Sequence, residues 1–198
     1  MASPTAGGTS RLVVLSLESQ ADWESWLTEH HASSRGVWLK IVKKRSSKSG
    51  PSYAEALDTA LCFGWIDGQK DRSDEDFWLQ RFTPRTARSK WSRINRDKAI
   101  RLIELGRMRS AGLAQVEQAK ADGRWDAAYE PQSSAKVPAD LQRALEEDVN
   151  AQSFFSTLDG RNRYAILYRI QDAKTSETRA RRIQKYVDML SAGQKIHT

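Results

Sequence analysis

The spacing of apolar residues changes near residue 89, and this change constrains the fold more than any other feature of the chain. Before it, short runs with strand periodicity alternate with helical stripes, whereas after it the spacing is helical. This order predicts an α+β protein with a small mixed or antiparallel sheet, packed helices and a helical C-terminal module. We place the α+β domain with its basic helix at 11–130 and the module at 138–198, and we expect the Ser/Gly-rich residues 1–10 to be disordered.

Local patterns predict the individual elements. The apolar and β-branched runs predict four strands, at 11–17, 37–43, 63–70 and 76–82. Helical spacing predicts a helix over 19–30, and the Ser52-x-x-Glu55 capping box predicts a second helix that begins at residue 52. Further on, helical phase places an apolar stripe on one face of the basic helix, formed by Trp91, Ile94, Leu102 and Leu105.

Composition excludes several classes of protein. No apolar run approaches the roughly 20 residues of a membrane span, and the first residues lack the pattern of a secretory signal, so we expect a cytoplasmic protein. The single cysteine, Cys62, excludes an internal disulfide, and one cysteine with three histidines cannot form an ordinary zinc cage. We therefore expect no metal and no cofactor. Cys62 falls on the polar side of its predicted helix, where a thiol could react, but no histidine is placed beside it.

The net charge of +7 is concentrated in one segment. Between Arg81 and Arg109 the chain has ten basic and two acidic residues, whereas the remainder is close to neutral. An anionic partner should meet this segment first. One hypothesis is therefore nucleic-acid binding through 81–109, aided by basic residues of the last helix, namely Arg179, Arg181, Arg182 and Lys185.

Asp67 is the first candidate for chemistry. It lies beside Trp65 in a predicted strand, where a carboxylate could serve in general acid/base catalysis. The alternative is structural, since Asp67-Gly68 is also a signal for a turn or a bulge. The acidic segment 71–76 lacks the spacing of a calcium loop, and we interpret it as a solvated turn.

The second candidate group consists of Arg81, Thr83, Arg85, Ser89 and Trp91. Guanidinium groups, hydroxyls and an aromatic plane at a strand end and a helix start are components of an anion site. The alternative is that this stretch only ends a strand and that Ser89 caps the helix.

Asn95 and Lys98 are polar residues within the apolar stripe of the basic helix. They could line a cavity, or Lys98 could extend along the edge of the core while Asn95 fixes a loop. The clustered tryptophans could likewise form a ligand pocket or simply the core, and they are Trp38, Trp65, Trp78 and Trp91. The full ligand-pocket hypothesis assigns catalysis to Asp67, Arg81 and Lys98. It assigns substrate binding to Trp38, Lys40, Tyr53, Trp65, Arg85, Ser89, Trp91 and Asn95.

Five longer strings resemble a known family. They are YAEALDTALCFGWIDGQK at 53–70, FWLQRFTPR at 77–85, SKWSRINRDKA at 89–99, AGLAQVEQAKADGRWDAAY at 111–129 and NRYAILYRIQDAKTSETRARRI at 162–183. Together they resemble the YdeI/OmpD-associated, or bacteriocin-protection, family over nearly the whole chain. The resemblance implies an α+β fold with a helical C-terminal module and a protective physiology, and it brings no catalytic residues with it.

Three functions remain in competition at this point. The first is binding of a bulky, partly anionic small molecule, with cofactor-free acid/base chemistry (dehydration, addition or cyclisation) if the protein is an enzyme. The second is the nucleic-acid hypothesis. The third is protection against bacteriocin or stress through a protein partner.

Overall fold

The computed structural model describes residues 12–198, so the disorder predicted for residues 1–10 lies outside the described part. The chain forms two compact units. The first contains the described residues up to Ser89 together with Asn95–Asp126, and the second contains Lys90–Ile94 and Ala127–Thr198.

A four-stranded mixed sheet, as described for residues 12–198, forms the centre of the first unit. Its strands are β1 (Val13–Leu15), β2 (Val37–Val42), β3 (Trp65–Arg72) and β4 (Phe77–Pro84). The strand order is β1-β2-β4-β3, in which β1 is parallel to β2 and the other pairs are antiparallel. Alternate residues of β2 are buried, as its period-two pattern predicts. The predicted α+β class and mixed sheet are confirmed.

Helices of this unit begin where local signals place them. They are α1 (Gln20–His30), α2 (Tyr53–Cys62), α3 (Arg93–Glu104), whose first two residues group with the second unit, and α4 (Ser110–Ala121). The predicted capping box of α2 is present, because Glu55 N donates to Ser52 Oγ over 3.3 Å and Ser52 N donates to Glu55 Oε2 over 2.9 Å. Trp23 of α1 is fully buried, and its Nε1 donates to the carbonyl of Ala56 in α2.

The apolar stripe predicted for α3 is wrong in two positions. Ile94 and Leu105 are 50% and 59% exposed, whereas Asn95, Ala99 and Leu102 are buried. The buried residues are spaced four and three apart, so they share one helix face, and small Ala99 lies at its centre. A pattern of large apolar residues therefore misplaced the inward face of this helix.

The end of α2 and the start of α4 pack closely against each other. Gly112 is buried, and a Cβ added there would overlap the carbonyl oxygen of Cys62 and lie 2.8 Å from that of Leu61. Cys62 is itself buried, so its predicted position on the polar side of the helix is wrong. Burial raises the pKa of the Cys62 thiol to about 11, which keeps it protonated at neutral pH. A reactive thiolate at Cys62 is thereby disfavoured.

The second unit contains a helical module, as predicted. Its helices are α5 (Ala139–Glu146), α6 (Val149–Thr157), α7 (Gly160–Gln171) and α8 (Ser176–Ser191). Its core includes Leu141, Leu145, Phe155, Ile166, Ile170 and Leu190. The Arg179 guanidinium joins α8 to α5 through two hydrogen bonds to the Asp140 carboxylate, and this contact lowers the pKa of Asp140. Arg179 is therefore engaged within the module, which leaves it less available to an anionic partner.

Candidate functional site

The three predicted catalytic residues do not meet. Asp67 lies opposite buried Phe82 in the register of β3 and β4, and the next residue of β4, Arg81, lies opposite Trp38. Successive side chains of a strand point to opposite faces, so Asp67 and Arg81 lie on opposite faces of the sheet. Lys98 forms an ion pair with Asp58 of α2, with 2.5 Å between Nζ and Oδ1. The three side chains therefore lie in separate environments and do not form the single catalytic site predicted from the sequence.

Asp67 instead belongs to a group that we call the Tyr–Asp–Lys–Trp cluster, formed by Tyr53, Asp67, Lys70 and Trp78. The Tyr53 hydroxyl donates to Asp67 Oδ2 over 2.8 Å. The Tyr53 and Trp78 rings are 5.8 Å apart and tilted by 43°. Lys70 Nζ lies 5.3 Å from the Tyr53 ring centroid and 4.7 Å from that of Trp78, within the range of a cation–π interaction. The structure thus joins the predicted residues Asp67 and Tyr53 to Trp78, one of the clustered tryptophans, and to Lys70, which the sequence did not reveal.

A β-bulge in β3 assembles this cluster. Asp67 is paired with Phe82 and Lys70 with Gln80, so Gly68 and Gln69 of β3 together lie opposite the single residue Arg81 of β4. Without the bulge, Asp67 and Lys70 would point to opposite faces, whereas the extra residue places them on the same one. The interpretation of Asp67-Gly68 as a bulge signal is confirmed, and the bulge also builds the candidate site.

Gln80 holds the bulge in place from the interior. It is fully buried, and its Nε2 donates to the carbonyls of Gly68 (2.9 Å), Gln69 (3.2 Å) and Arg81 (3.1 Å). These carbonyls belong to the irregular part of the sheet, where the regular hydrogen-bond ladder is interrupted. A buried donor that satisfies them stabilises the conformation that presents Asp67 and Lys70.

Lys70 also has a charge that the described residues do not neutralise. Its side chain is exposed, and it forms no ion pair or hydrogen bond through Nζ within residues 12–198. The two aromatic rings nevertheless hold the ammonium group beside the Tyr53–Asp67 pair. This arrangement leaves a positioned cation available to an anionic ligand.

The basic segment 81–109 is partly neutralised by carboxylates, most of them distant in sequence. Five of its basic residues form ion pairs, which are Lys90–Asp172, Arg93–Glu130, Arg96–Asp97, Lys98–Asp58 and Arg109–Glu24. The first two pairs lie in the second unit and the other three in the first. The charge concentration in the sequence is therefore divided and partly paired, which reduces the support for nucleic-acid binding.

Four predicted ligand-binding residues are interior, and Asn95 of α3 is one of them. Trp65 is 1% exposed, Arg85 is 5% exposed, and Trp91, which belongs to the second unit, is 2% exposed. Trp65 contacts the rings of two other tryptophans edge-on, and its Nε1 donates to the carbonyl of His31. Trp65 is thus a residue of the core, which was the alternative interpretation of the tryptophan cluster.

Asn95 and the remaining predicted residues have separate positions. Asn95 is buried on the inward face of α3, and Trp38 lies across the sheet from Arg81 on the face away from Asp67. Ser89 Oγ accepts from Thr86 N over 3.0 Å, and its carbonyl accepts from Arg124 Nη1 over 2.9 Å. Ser89 therefore stabilises the turn that precedes it. Among the predicted binding residues, Tyr53 is the one that contacts Asp67.

Lys40, the last of the predicted binding residues, contacts the turn between β3 and β4. Asp74 Oδ2 accepts from Lys40 Nζ over 3.0 Å, and Asp74 Oδ1 accepts from the backbone N–H of Asp76 and Phe77. The Lys40 contact is the main reason why the pKa of Asp74 falls to about 2. In residues 12–198, no group of three or more histidine, cysteine, aspartate or glutamate side chains is placed to hold a metal ion.

Asp74→Asn should lower stability near neutral pH but have little effect at pH 2. The pKa of about 2 in the folded protein is below the value of about 3.9 typical of an unfolded aspartate. The ionised carboxylate therefore stabilises the fold above about pH 4, and this contribution is lost as the pH falls toward 2. Urea unfolding at pH 6, 4, 3 and 2 measures the difference between wild type and variant. If the difference in the free energy of unfolding does not shrink with falling pH, the role of the ionised Asp74 carboxylate is contradicted. The same holds if the exposed control Glu75→Gln lowers the free energy of unfolding by an equal amount.

Two family models match the chain. The first, described as a domain of unknown function (DUF8412), matches residues 15–115, which is half of the chain and lies mostly in the first unit. The chain therefore belongs to this DUF8412 family of domains. The second model, described as bacteriocin-protection, YdeI or OmpD-associated, matches residues 134–193 in the second unit. The chain thus carries a YdeI/OmpD-associated domain, which confirms the family suggested by its sequence.

The division between the two models refines that resemblance. Most of the strings that suggested the YdeI/OmpD-associated family lie within or next to residues 15–115, which match the other model. No curated protein and no solved structure gives a significant match to the chain. Among the described residues, the helices are too short or too polar to cross a membrane.

Proposed function

We propose that the first unit binds a small, partly anionic aromatic molecule at the Tyr–Asp–Lys–Trp cluster. The observation that carries this proposal is the position of Lys70, an exposed ammonium held against two aromatic rings beside a hydrogen-bonded Tyr53–Asp67 pair. The proposal narrows the ligand class inferred from the sequence, a bulky, partly anionic small molecule, to one with an aromatic body. Of the clustered tryptophans it keeps Trp78, and Lys70 takes the place of the predicted arginines.

Each member of the cluster has a distinct role in this proposal. The rings of Trp78 and Tyr53 contact the planar, apolar body of the ligand. Lys70 pairs with its carboxylate or phosphate, and Asp67 accepts a hydrogen bond from a hydroxyl or amine at the other end. Tyr53 keeps the Asp67 carboxylate in place through its hydroxyl.

The Tyr53–Asp67 pair also supports an enzymatic form of the proposal, a proton transfer without a cofactor. Asp67 would accept a proton from the bound molecule, and the Tyr53 hydroxyl would return one at a second atom, as addition, dehydration or cyclisation requires. Proton NMR of candidate acids in D2O tests this form. Turnover by wild type that is lost in Asp67→Asn supports it, and unchanged spectra of a bound acid contradict it.

Lys70→Met should weaken binding of aromatic acids at least tenfold. The variant keeps an apolar side chain but removes the cation, and a hydrogen bond to a charged group contributes about 1.5–3 kcal/mol, where about 1.4 kcal/mol is a factor of ten. Calorimetry with aromatic carboxylates and phosphates, beginning with 4-hydroxycinnamate and its neutral amide, measures the change. Lys48→Met is the matched control, because it removes an exposed lysine whose side chain forms no hydrogen bond or ion pair in the described residues.

The outcomes separate binding at the cluster from binding elsewhere. We expect the acid to bind more tightly than the amide, Tyr53→Phe to weaken binding, and Lys48→Met to behave as wild type. Equal affinity in Lys70→Met, or no saturable binding by any of these acids, would overturn the proposal.

A further inference from the structure

A groove in the second unit lies outside the cluster described above. The turn at 131–135 and the first two turns of α7 form its walls, and its volume is about 520 Å³. This size falls in the range of ligand sites, roughly 300–1,000 Å³. Its lining residues include Gln132, Ser133, Ala135, Arg163, Tyr164 and Leu167.

The lining combines one cation with an apolar surface. The guanidinium carbon of Arg163 lies 4.7 Å from the ring centroid of Phe155, and Arg163 forms no ion pair within residues 12–198. Asp159, the nearest carboxylate along the chain, accepts from the backbone N–H and the side-chain amide of Asn162 as the cap of α7. Within residues 12–198, this carboxylate caps the helix and forms no ion pair with the Arg163 guanidinium. Ala135 and Leu167 provide an apolar surface beside it.

Both walls of the groove are held in position. The Tyr164 hydroxyl donates to the carbonyl of Glu130 over 2.9 Å, and Ala135 N donates to the carbonyl of Pro131 over 3.0 Å. Gly160 leaves room for the Gln132 amide, since a Cβ there would lie 2.8 Å from Gln132 Nε2. A preformed wall lowers the entropy lost when a ligand binds.

We propose that this groove binds a small carboxylate with a short apolar chain. The carboxylate pairs with Arg163, the Gln132 amide and the Ser133 hydroxyl donate to its oxygens, and the chain lies along Ala135 and Leu167. Charge complementarity determines the class of ligand, because a cation beside an apolar surface favours an amphipathic anion over a neutral molecule. This site is independent of the function proposed for the first unit.

The test uses the full chain, labelled with ¹⁵N, and three probes of matched chemistry. Octanoate has both the charge and the apolar chain, octanol has the chain alone, and acetate has the charge alone. Arg163→Gln removes the cation of the groove. Arg161→Gln is the matched control. It removes an equal charge two residues earlier in α7, at an exposed side chain that does not line the groove.

We expect octanoate to bind saturably and to shift the amide resonances of Ser133 and Gly160. Its affinity should fall at least tenfold in Arg163→Gln and stay within twofold in Arg161→Gln, while octanol and acetate bind more weakly by tenfold or more. Native-like spectra of both variants exclude misfolding as the cause. Equal binding in Arg163→Gln, equal binding of octanol, or shifts confined to other regions would overturn the proposal. An acetylated apolar tetrapeptide that binds tenfold more tightly than octanoate would also overturn it, in favour of a protein C-terminus.

Discussion

Gly112→Ala should destabilise the first unit by about 2–3 kcal/mol, in the upper part of the range of about 1–3 kcal/mol that is typical of overpacked interiors. An added Cβ would overlap the carbonyl oxygen of Cys62 and lie 2.8 Å from that of Leu61. Both oxygens belong to the backbone at the end of α2, so they cannot move aside as a flexible side chain can. In most helices, replacing glycine by alanine raises stability by about 1 kcal/mol. A loss of stability in Gly112→Ala would therefore identify the clash.

Urea unfolding followed by tryptophan fluorescence measures this change. Six of the seven tryptophans lie in the first unit, so the signal follows mainly its unfolding. Gly123→Ala is the control, because Gly123 has a positive φ of +79° but no atom within 4 Å of an added Cβ. We expect the control to cost about 1 kcal/mol from backbone strain alone. A neutral or stabilising Gly112→Ala would show that α2 and α4 are not packed as closely as described.

Gln80→Leu should have the second large effect, about 3 kcal/mol, because it removes a buried donor from carbonyls that then lack a partner. The leucine has a similar size, so the main loss is the amide N–H contacts to Gly68, Gln69 and Arg81. Gln80 Oε1 has no hydrogen-bond partner in the described residues, which indicates that the residue contributes through its NH₂ group. We also expect the bulge to relax and binding of aromatic acids to weaken.

The exposed helical residue Gln118 provides the control for this substitution. Gln118→Leu makes the same chemical change on the surface of α4 and should alter stability by less than about 0.5 kcal/mol. Urea unfolding and calorimetry on the same samples measure both consequences. If the Gln80→Leu protein is as stable as wild type and retains its ligand affinity, Gln80 does not hold the bulge and the cluster in place as proposed.

Local signals in the sequence predicted the parts of the fold that depend on neighbours in the chain. The Ser52–Glu55 capping box and the alternation of β2 are examples, since both depend on contacts within a few residues. The face of α3 was harder to predict, because Ala99 and Asn95 are buried there while the larger Ile94 is exposed. Size and hydrophobicity in the sequence do not show which face a neighbouring element will cover.

The candidate site was predicted in part for a similar reason. Asp67, Tyr53 and the tryptophan Trp78 were identified, but Lys70 was missed because one extra residue in β3 changes the face to which Lys70 points. Ion pairs such as Arg109–Glu24 join residues 85 positions apart, so the sequence alone could not reveal that the basic segment is partly neutralised.

The most direct test of the Tyr–Asp–Lys–Trp cluster observes Lys70 itself. Reductive ¹³C-methylation labels each lysine and keeps its positive charge, and Lys70→Met assigns the Lys70 resonance. The aromatic rings should displace this resonance from those of the other lysines, and Trp78→Leu should reduce the displacement to the part that Tyr53 causes. On titration with 4-hydroxycinnamate, we predict that the Lys70 resonance moves saturably while that of Lys48 stays in place. A Lys70 resonance that stays unmoved at saturating ligand, or that moves equally in Trp78→Leu, would contradict the proposed site.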